Sequence, residues 1–249
     1  HLDPKTPVLW SKEEVAERWL RAYPGSLDLP KNASRRAIKK REIMSNDKKV
    51  ALYRQRLGNL SWFMGRLNEP LAKSSNAEDC CTGKFWEGRF SSQVLLDEAA
   101  VLSCMAYVDL NPVRARITNK LETSNHTSIK KRIDKVHKTN QLSKLDACLE
   151  AVIGKISTNK LSISTKEYIQ LVDWTGRSII DPAKGSLHPN IPLIFQRFNL
   201  QQSNWPNQIE NYGSNYCHFV GTIENIRKKA VQLKLRCLHG TSAASLLYI

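Results

Sequence analysis

The stretch DEAAVLSCMAYVDLNPVR, residues 97–114, contains the strongest structural signals in the chain. Asp97 precedes an alanine-rich segment, and an aspartate in this position favours the positive end of a helix. The alanines predict that this helix continues to Leu110. It should end close to Asn111, because the proline that follows disfavours the helical conformation in the residue before it. Tyr107 and Asn111 stand four positions apart, so we expect both side chains on one face near the end of the helix.

Tyr107 and Asn111 offer a phenol nucleophile and an amide oxygen, a pairing that suits chemistry on a phosphodiester. A tyrosine phenol has an ordinary pKa of about 10, so it needs a metal ion or a base to react at neutral pH. A bound Mg²⁺ or Mn²⁺ would polarise the phosphate, and Asn111 could supply one oxygen ligand. From the residues alone, Tyr107 could also be a core aromatic and Asn111-Pro112 a helix stop. Arg114 and Arg116 would contact phosphates or remain solvated.

Immediately upstream, KFWEGRFSSQVLL at residues 84–96 places aromatic and β-branched side chains around a Glu-Gly turn. This composition predicts a strand or a hairpin, and the polar residues 74–83 before it favour a loop. Lys84 and Arg89 are mixed with three aromatic residues, a combination that binds unpaired bases and their backbone. We therefore expect Lys84 and Arg89 to contact DNA. The alternative is an ordinary hairpin that buries its aromatics.

Residues 31–56 form the most basic segment, with ten Lys or Arg against two acidic residues. This density of positive charge exceeds what a solvated helix face needs, so phosphate binding is the favoured interpretation. The expected DNA-binding residues here are Arg35, Arg36, Lys39, Lys40 and Arg41. Apolar residues recur at helical spacing from 47 to 73, which predicts one long amphipathic helix with a kink near Pro70. Ser11 and Glu14 have the spacing of a capping box and predict a short helix behind them.

Downstream of the opening stretch, the pattern predicts a helix that begins near Thr127. Ser164 and Glu167 have the spacing of a second capping box. Four further helices are predicted in this half, over residues 145–155, 164–180, 191–198 and 222–238. We therefore divide the chain into a domain of residues 1–125 and an all-helical module of residues 126–249.

The composition limits the classes of function. The chain has 249 residues, and 38 Lys or Arg against 23 Asp or Glu give a formal net charge of +15, which implies a polyanionic partner. No apolar run is long enough to cross a bilayer, so we expect no membrane association and a cytoplasmic location. Six cysteines without a C-x-x-C pair favour reduced thiols. The motifs of nucleotide hydrolysis and dinucleotide binding are missing from the sequence.

Three segments carry a resemblance to a known family. KFWEGRF at residues 84–90, DEAA at 97–100 and AYVDLNPVRA at 106–115 resemble, in order and spacing, the REP-associated single-tyrosine transposases of bacteria. A looser likeness extends over nearly all of the chain, through LSWFM at 60–64, LNEP at 67–70 and LVDWTGR at 171–177. Arg116 stands where members of that family often carry glycine.

The resemblance implies a fold, a mechanism and a ligand set. The implied fold is α+β, with a small antiparallel sheet flanked by helices in the first domain. By resemblance, Tyr107 is the nucleophile that becomes joined to the 5′ end of a single DNA strand. Asn111 matches the third ligand of a Mg²⁺ or Mn²⁺ ion, whose other two ligands are a His-hydrophobic-His pair. That pair is expected upstream of His1.

The expected function is cleavage and joining of single-stranded or hairpin DNA through a phosphotyrosine intermediate, as in a mobile-element transposase. The alternative is a DNA-binding remnant that recognises structured DNA without cutting it. In the family such nucleases act as monomers or dimers, and the residues of this chain favour neither state.

Overall fold

The computed structural model describes residues 6–24, 32–139, 145–146, 148–150, 160–181, 188–235 and 239–249. Contacts between Cα atoms divide the chain into two compact units, residues 1–91 and 92–249. The boundary predicted between residues 125 and 126 therefore falls inside the second unit. Asp109 accounts for this, because its buried carboxylate accepts hydrogen bonds from the backbone of Ser128 and Ile129 and so joins the two sides of the predicted boundary.

The first unit consists of helices in the part that the structure describes. They are α1 (Thr6–Leu9), α2 (Lys12–Ala22), α3 (Ala33–Met44), α4 (Asp47–Leu57) and α5 (Leu60–Glu78). The predicted start of α2 is confirmed, because the Ser11 hydroxyl accepts a hydrogen bond from the Glu14 backbone N–H at 3.1 Å. A small apolar core joins α2, α3 and α4 through Val15, Ala16, Leu20, Ile43 and Val50.

The long helix predicted for residues 47–73 is wrong, because α4 ends at Leu57 and α5 begins at Leu60. The Asn59 side chain accepts hydrogen bonds from the backbone N–H groups of Ser61 and Trp62, which makes it an N-cap for a new helix. Pro70 lies within α5 without ending it. The first half of the predicted loop at 74–83 is helical, since α5 continues to Glu78.

The hairpin predicted around residues 84–96 is also wrong. Phe85 and Trp86 are partly exposed and meet edge to face, and the Trp86 indole N–H donates to the Asn68 carbonyl at 3.1 Å. The tryptophan is thus attached to α5 rather than to a partner strand. Only β1 (Val94–Leu95) is extended in this segment, and it pairs in parallel with β4 (Phe219–Val220).

The second unit mixes helices with the two small sheets of the described chain. Its helices are α6 (Glu98–Asp109), α7 (Asn111–Arg114), α8 (Ser128–Thr139), α9 (Thr165–Ile180), α10 (Asn190–Arg197), α11 (Trp205–Glu210), α12 (Tyr212–Asn215), α13 (Ile223–Gln232) and α14 (Thr241–Leu247). β2 (Cys148–Glu150) pairs antiparallel with β3 (Lys160–Ser164). The large core is centred on α6, α9 and α11, with Leu102, Leu171 and Trp205 fully buried.

Asp97 fixes the start of α6, as the sequence predicts. One oxygen of its carboxylate accepts from the Ala100 N–H at 2.8 Å, and the other accepts from the Thr222 N–H at 2.9 Å. Gly221, the residue before Thr222, has a positive φ of 156°. A Cβ at this glycine would come within 2.7 Å of the Asp97 carboxylate. The same aspartate therefore organises the beginnings of α6 and α13.

The remaining helix predictions are partly confirmed. The helix near Thr127 is present as α8, α9 has both halves of the predicted capping box at Ser164, and α10 follows Pro189. The helix predicted for residues 145–155 is wrong at 148–150, where β2 lies, and residues 151–159 fall outside the described chain. The second half is thus not all-helical.

Two further predictions concern the first half and the helix at residues 222–238. No antiparallel sheet is found among the described residues of the first 125, where β1 is the one strand. The helix predicted for 222–238 ends at Gln232, and residues 236–238 lie outside the described chain.

Among the described helices, none has both the length and the apolar character that a bilayer span requires.

Candidate functional site

The candidate site is the corner where α6 passes into α7. The predicted helix end near Asn111 is present: α6 ends at Asp109, buried Leu110 follows, and Asn111 opens α7. The proline predicted to end the helix lies in the first turn of α7, where its missing N–H costs no helical hydrogen bond. Asn111 is exposed. The corner therefore presents a short polar segment on a buried, rigid base.

Tyr107 lies in a cluster of tyrosines. Its ring is half-buried and stacks on the ring of Tyr212, with centroids 4.8 Å apart and planes inclined by 27°. Gly213 faces its hydroxyl, and a Cβ at that position would lie 3.2 Å from the hydroxyl oxygen. The glycine therefore leaves the space in which the Tyr107 hydroxyl sits.

The other hydroxyls of this cluster differ from that of Tyr107. Tyr212, Tyr216 and Tyr248 have buried hydroxyl oxygens without a hydrogen-bond partner among the described residues, a group to which Tyr107 does not belong. Burial raises the pKa of each of these three phenols well above the ordinary value for tyrosine. Their hydroxyls are therefore enclosed, whereas the Tyr107 hydroxyl does not belong to this buried and unpartnered set.

Arg114 is held over Tyr107. Its guanidinium carbon lies 4.4 Å from the centre of the tyrosine ring, a cation–π arrangement. Its Nε donates to the Glu210 carbonyl at 3.0 Å, its Nη2 donates to the same oxygen, and its Nη1 donates to the Asn111 Oδ1 at 2.9 Å. All of these partners are uncharged, so within the part of the chain that the structure describes the positive charge of Arg114 is not neutralised. The arginine that the sequence expects to contact phosphate is thus fixed beside the phenol.

Asp109 anchors the corner and was not singled out by the sequence. Its side chain is buried and accepts hydrogen bonds from four donors: the Ser128 backbone N–H, the Ser128 hydroxyl, the Ile129 N–H and the Tyr168 hydroxyl, the last at 2.7 Å. The carboxylate thereby caps the start of α8 and holds α6 to α9. Burial raises the pKa of Tyr168, and the adjacent Asp109 charge adds to that rise. Asp109 therefore supports the site and is turned away from it.

The donor set at the corner does not by itself fit a divalent cation. Asn111 Oδ1 is the oxygen expected to bind Mg²⁺ or Mn²⁺, and it already accepts a hydrogen bond from the Arg114 cation. The Asp109 carboxylate, two positions before Asn111, is engaged inside the protein. No group of three or more His, Cys, Asp or Glu side chains that could hold a metal ion occurs among the described residues. The ligand expected at Asn111 is thus already engaged by Arg114, and the corner does not present a complete site for the ion.

The other expected DNA-binding residues lie in the first unit. Lys84 and Arg89 are exposed and make no ion pair in the described chain. Several cations of α3 and α4 are paired with carboxylates: Arg36 with Glu17 at 2.8 Å, Lys40 with Glu13 at 3.0 Å, and both Lys39 and Lys49 with Glu42 at 2.9 Å. Arg35 and Arg41 are exposed and have no such partner in the described chain. The basic segment therefore serves partly to join helices of its own unit.

Comparison with known proteins gives no relative for this chain, because no family model, no curated protein and no solved structure matches it.

The residues that complete the corner come from far along the sequence. Glu210, Tyr212 and Gly213 meet Tyr107 and Arg114 from about one hundred positions away, and no local spacing signals that proximity.

Proposed function

We propose that this protein cleaves and rejoins single-stranded or hairpin DNA through a covalent intermediate on Tyr107. The main support comes from two neighbouring side chains at the α6–α7 corner. The Tyr107 hydroxyl lies outside the set of buried, unpartnered tyrosine hydroxyls, and the Tyr107 ring is contacted by Arg114, whose charge no described residue neutralises. The phenol oxygen would attack a backbone phosphorus as the bond to the 3′ oxygen breaks. The proton of the phenol leaves to solvent, and the departing 3′ oxygen takes up a proton. The 5′ phosphate stays on Tyr107 until a second 3′ hydroxyl reverses the reaction.

Arg114 would bind the phosphate that Tyr107 attacks. A guanidinium carries five N–H groups, and three of them are used on Glu210 and Asn111, so two remain for the non-bridging oxygens. Because its present partners are neutral, the full charge is available to offset the charge that develops on the phosphate. The hydrogen bonds to the Glu210 carbonyl orient the group before the substrate arrives.

A divalent metal ion belongs to this proposal only through the resemblance. Of the described residues at the corner, Asn111 is the one suited to ligate it, after releasing its hydrogen bond with Arg114. DNA is the partner that this function requires, and the cytoplasm is the compartment that goes with it.

A second candidate function is recognition of structured DNA without cleavage. It is favoured by the engagement of Asn111 Oδ1 with Arg114, which opposes binding of a cation at that oxygen. In this case Tyr107 would offer a stacking surface and Arg114 a phosphate contact.

The two candidates differ in whether a protein–DNA adduct forms. The full-length native protein and its Tyr107→Phe variant are incubated with a labelled hairpin-bearing single strand and Mn²⁺, and denaturing gels are examined for protein that carries the label. Tyr53→Phe is the matched control, since it removes a hydroxyl from a stacked tyrosine of the first unit. An adduct in the wild type and the control, but not in Tyr107→Phe, supports cleavage. Hairpin binding without adduct supports the second candidate, and absence of both contradicts the two.

A further inference from the structure

A cavity of about 470 Å³ opens beside the candidate site. It lies between the end of α7, the end of α9 and the last residue of α11. The lining residues that matter here are Arg114, Arg116, Ile117, Ile179, Ile180 and Glu210. This volume is within the range of pockets that hold small molecules or parts of larger ligands. Arg114 lines the cavity and also contacts the Tyr107 ring, so one side chain joins the two places.

Arg116 reaches this cavity from an unusual backbone position. The Arg116 N–H bonds to the Val113 carbonyl at 3.0 Å and the Ile117 N–H to the Pro112 carbonyl at 2.9 Å, the pattern of a Schellman helix end. Its φ is 57°, in the left-handed region that favours glycine. A non-glycine residue in this conformation is strained, and such strain is often found where a side chain serves a ligand. The exposed guanidinium makes no ion pair in the described chain.

The lining of the cavity combines three kinds of contact. Arg114 and Arg116 offer positive charge for an anion. Ile117 and Ile180, which are 80% and 48% exposed, both line the cavity and add apolar surface to it. The Glu210 side chain is exposed and unpaired in the described chain, so its carboxylate can accept from an N–H donor. An anionic group, a flat apolar face and N–H donors occur together in a nucleotide with an unpaired base.

We infer that this cavity binds one unpaired nucleotide of the DNA strand, adjacent to the phosphate at Tyr107. The inference rests on the proposed function, since it names a position on the same substrate. The base lies against Ile117 and Ile180, Arg116 contacts the phosphate of that nucleotide, and Arg114 contacts the phosphate nearer the phenol. A duplex end without a single-stranded extension cannot fill the cavity, because its bases are stacked and paired.

The test measures binding of the chain to three labelled probes: a hairpin with a short single-stranded extension, the same hairpin with a blunt end, and a free deoxynucleoside monophosphate. The variant is Arg116→Gly, which removes the guanidinium and places glycine where the backbone favours it, so the fold is retained. Lys131→Ala is the control, because it removes one positive charge from an exposed position on α8. A thermal melt of each variant verifies folding.

The wild type is expected to prefer the extended hairpin to the blunt one by about tenfold, and Arg116→Gly to abolish that preference. Lys131→Ala should retain it. Equal binding of the two hairpins by the wild type, equal losses in both variants, or tight binding of the free monophosphate without preference for the extension would overturn the cavity assignment. Those outcomes leave the Tyr107 adduct in place. Failure of the wild type to bind any hairpin would instead remove the proposed function, and the cavity assignment with it.

Discussion

Two basic regions of this protein use their charge in different ways. On α3, Arg36 and Lys40 are paired with glutamates of α2, so their charge joins two helices. At the α6–α7 corner, Arg114 is held by a carbonyl, an amide and an aromatic ring, none of which neutralises it. The density of Lys and Arg in a sequence therefore does not by itself indicate where a polyanion binds. The partners of each cation decide that.

The two regions also differ in what holds them. The ion pairs of α3 lie at the surface and are partly exposed to solvent, and surface pairs contribute little to stability. The corner is attached from beneath by the buried carboxylate of Asp109. We therefore expect substitutions beneath the corner to affect folding strongly, and substitutions on α3 to affect it weakly.

The largest effect is expected for Asp109→Ala. It leaves the N–H groups of Ser128 and Ile129 and the hydroxyl of Tyr168 without their acceptor in a buried place. The free energy of unfolding should fall by about 3 kcal/mol or more. Asp134→Ala removes an exposed carboxylate from α8 and should change it by about 0.5 kcal/mol or less. Chemical denaturation measures both, and similar losses in the two variants would contradict a buried anchor beneath the corner.

Sequence reasoning succeeded where one side chain determines a local structure. Asp97 and Ser164 cap their helices as predicted, since a cap involves only neighbouring backbone groups. It failed at Asn59, whose side chain starts a new helix within a pattern of apolar spacing that continues across the break. It also failed at Trp86, which hydrogen-bonds to the α5 backbone, a long-range contact that strand propensity does not represent.

The part of the candidate site that is local in sequence could be predicted, and the part that depends on tertiary packing could not. Tyr107, Asn111 and Arg114 lie within one short stretch, and Arg114 contacts each of the other two side chains. The stacking ring of Tyr212 and the carbonyl of Glu210 reach the corner through tertiary packing of α11 and α12. Asp109 was missed because its role depends on Ser128 and Tyr168, which only the folded chain brings within hydrogen-bonding distance.

The contrast between paired and unpaired cations predicts unequal effects on DNA binding. Arg114→Gln should weaken hairpin affinity by about tenfold and reduce the salt dependence by about one phosphate contact. Arg36→Gln should change affinity by about twofold or less, because Glu17 already offsets that charge. Fluorescence anisotropy at several salt concentrations measures both. Equal losses would mean that charge acts without regard to its partners, and the comparison would fail.

A smaller effect is expected for Gly213→Ala. The new methyl group would lie 3.2 Å from the Tyr107 hydroxyl oxygen, tighter than an ordinary contact, so the hydroxyl must move by a few tenths of an ångström. Since catalysis depends on precise placement of the nucleophile, adduct formation should slow by about three- to tenfold. Stability should be unchanged or higher, because alanine favours a helix over glycine. An unchanged rate of adduct formation would argue against a role for the phenol at this position.

The smallest effect concerns the pH dependence of the paired region. Hydrogen bonds from Lys39 and then Lys49 lower the pKa of Glu42 to about 2. A carboxylate with a lowered pKa stabilises the fold above its unfolded pKa of 4.5 and loses that contribution as the pH falls toward about 2. A carbon-detected NMR titration of Glu42 should therefore show ionisation well below the ordinary range. The double variant Lys39→Gln and Lys49→Gln should return its pKa toward 4.5. Ordinary titration in the wild type would show that these cations are free after all.

The central claim is that the Tyr107 oxygen becomes bonded to DNA. Digestion of the trapped protein–DNA adduct, followed by mass spectrometry of the peptides, identifies the modified residue. The account predicts a nucleotide attached through its 5′ phosphate to the peptide that contains Tyr107. A nucleotide on any other residue, or a trapped complex without a covalent link, would contradict it.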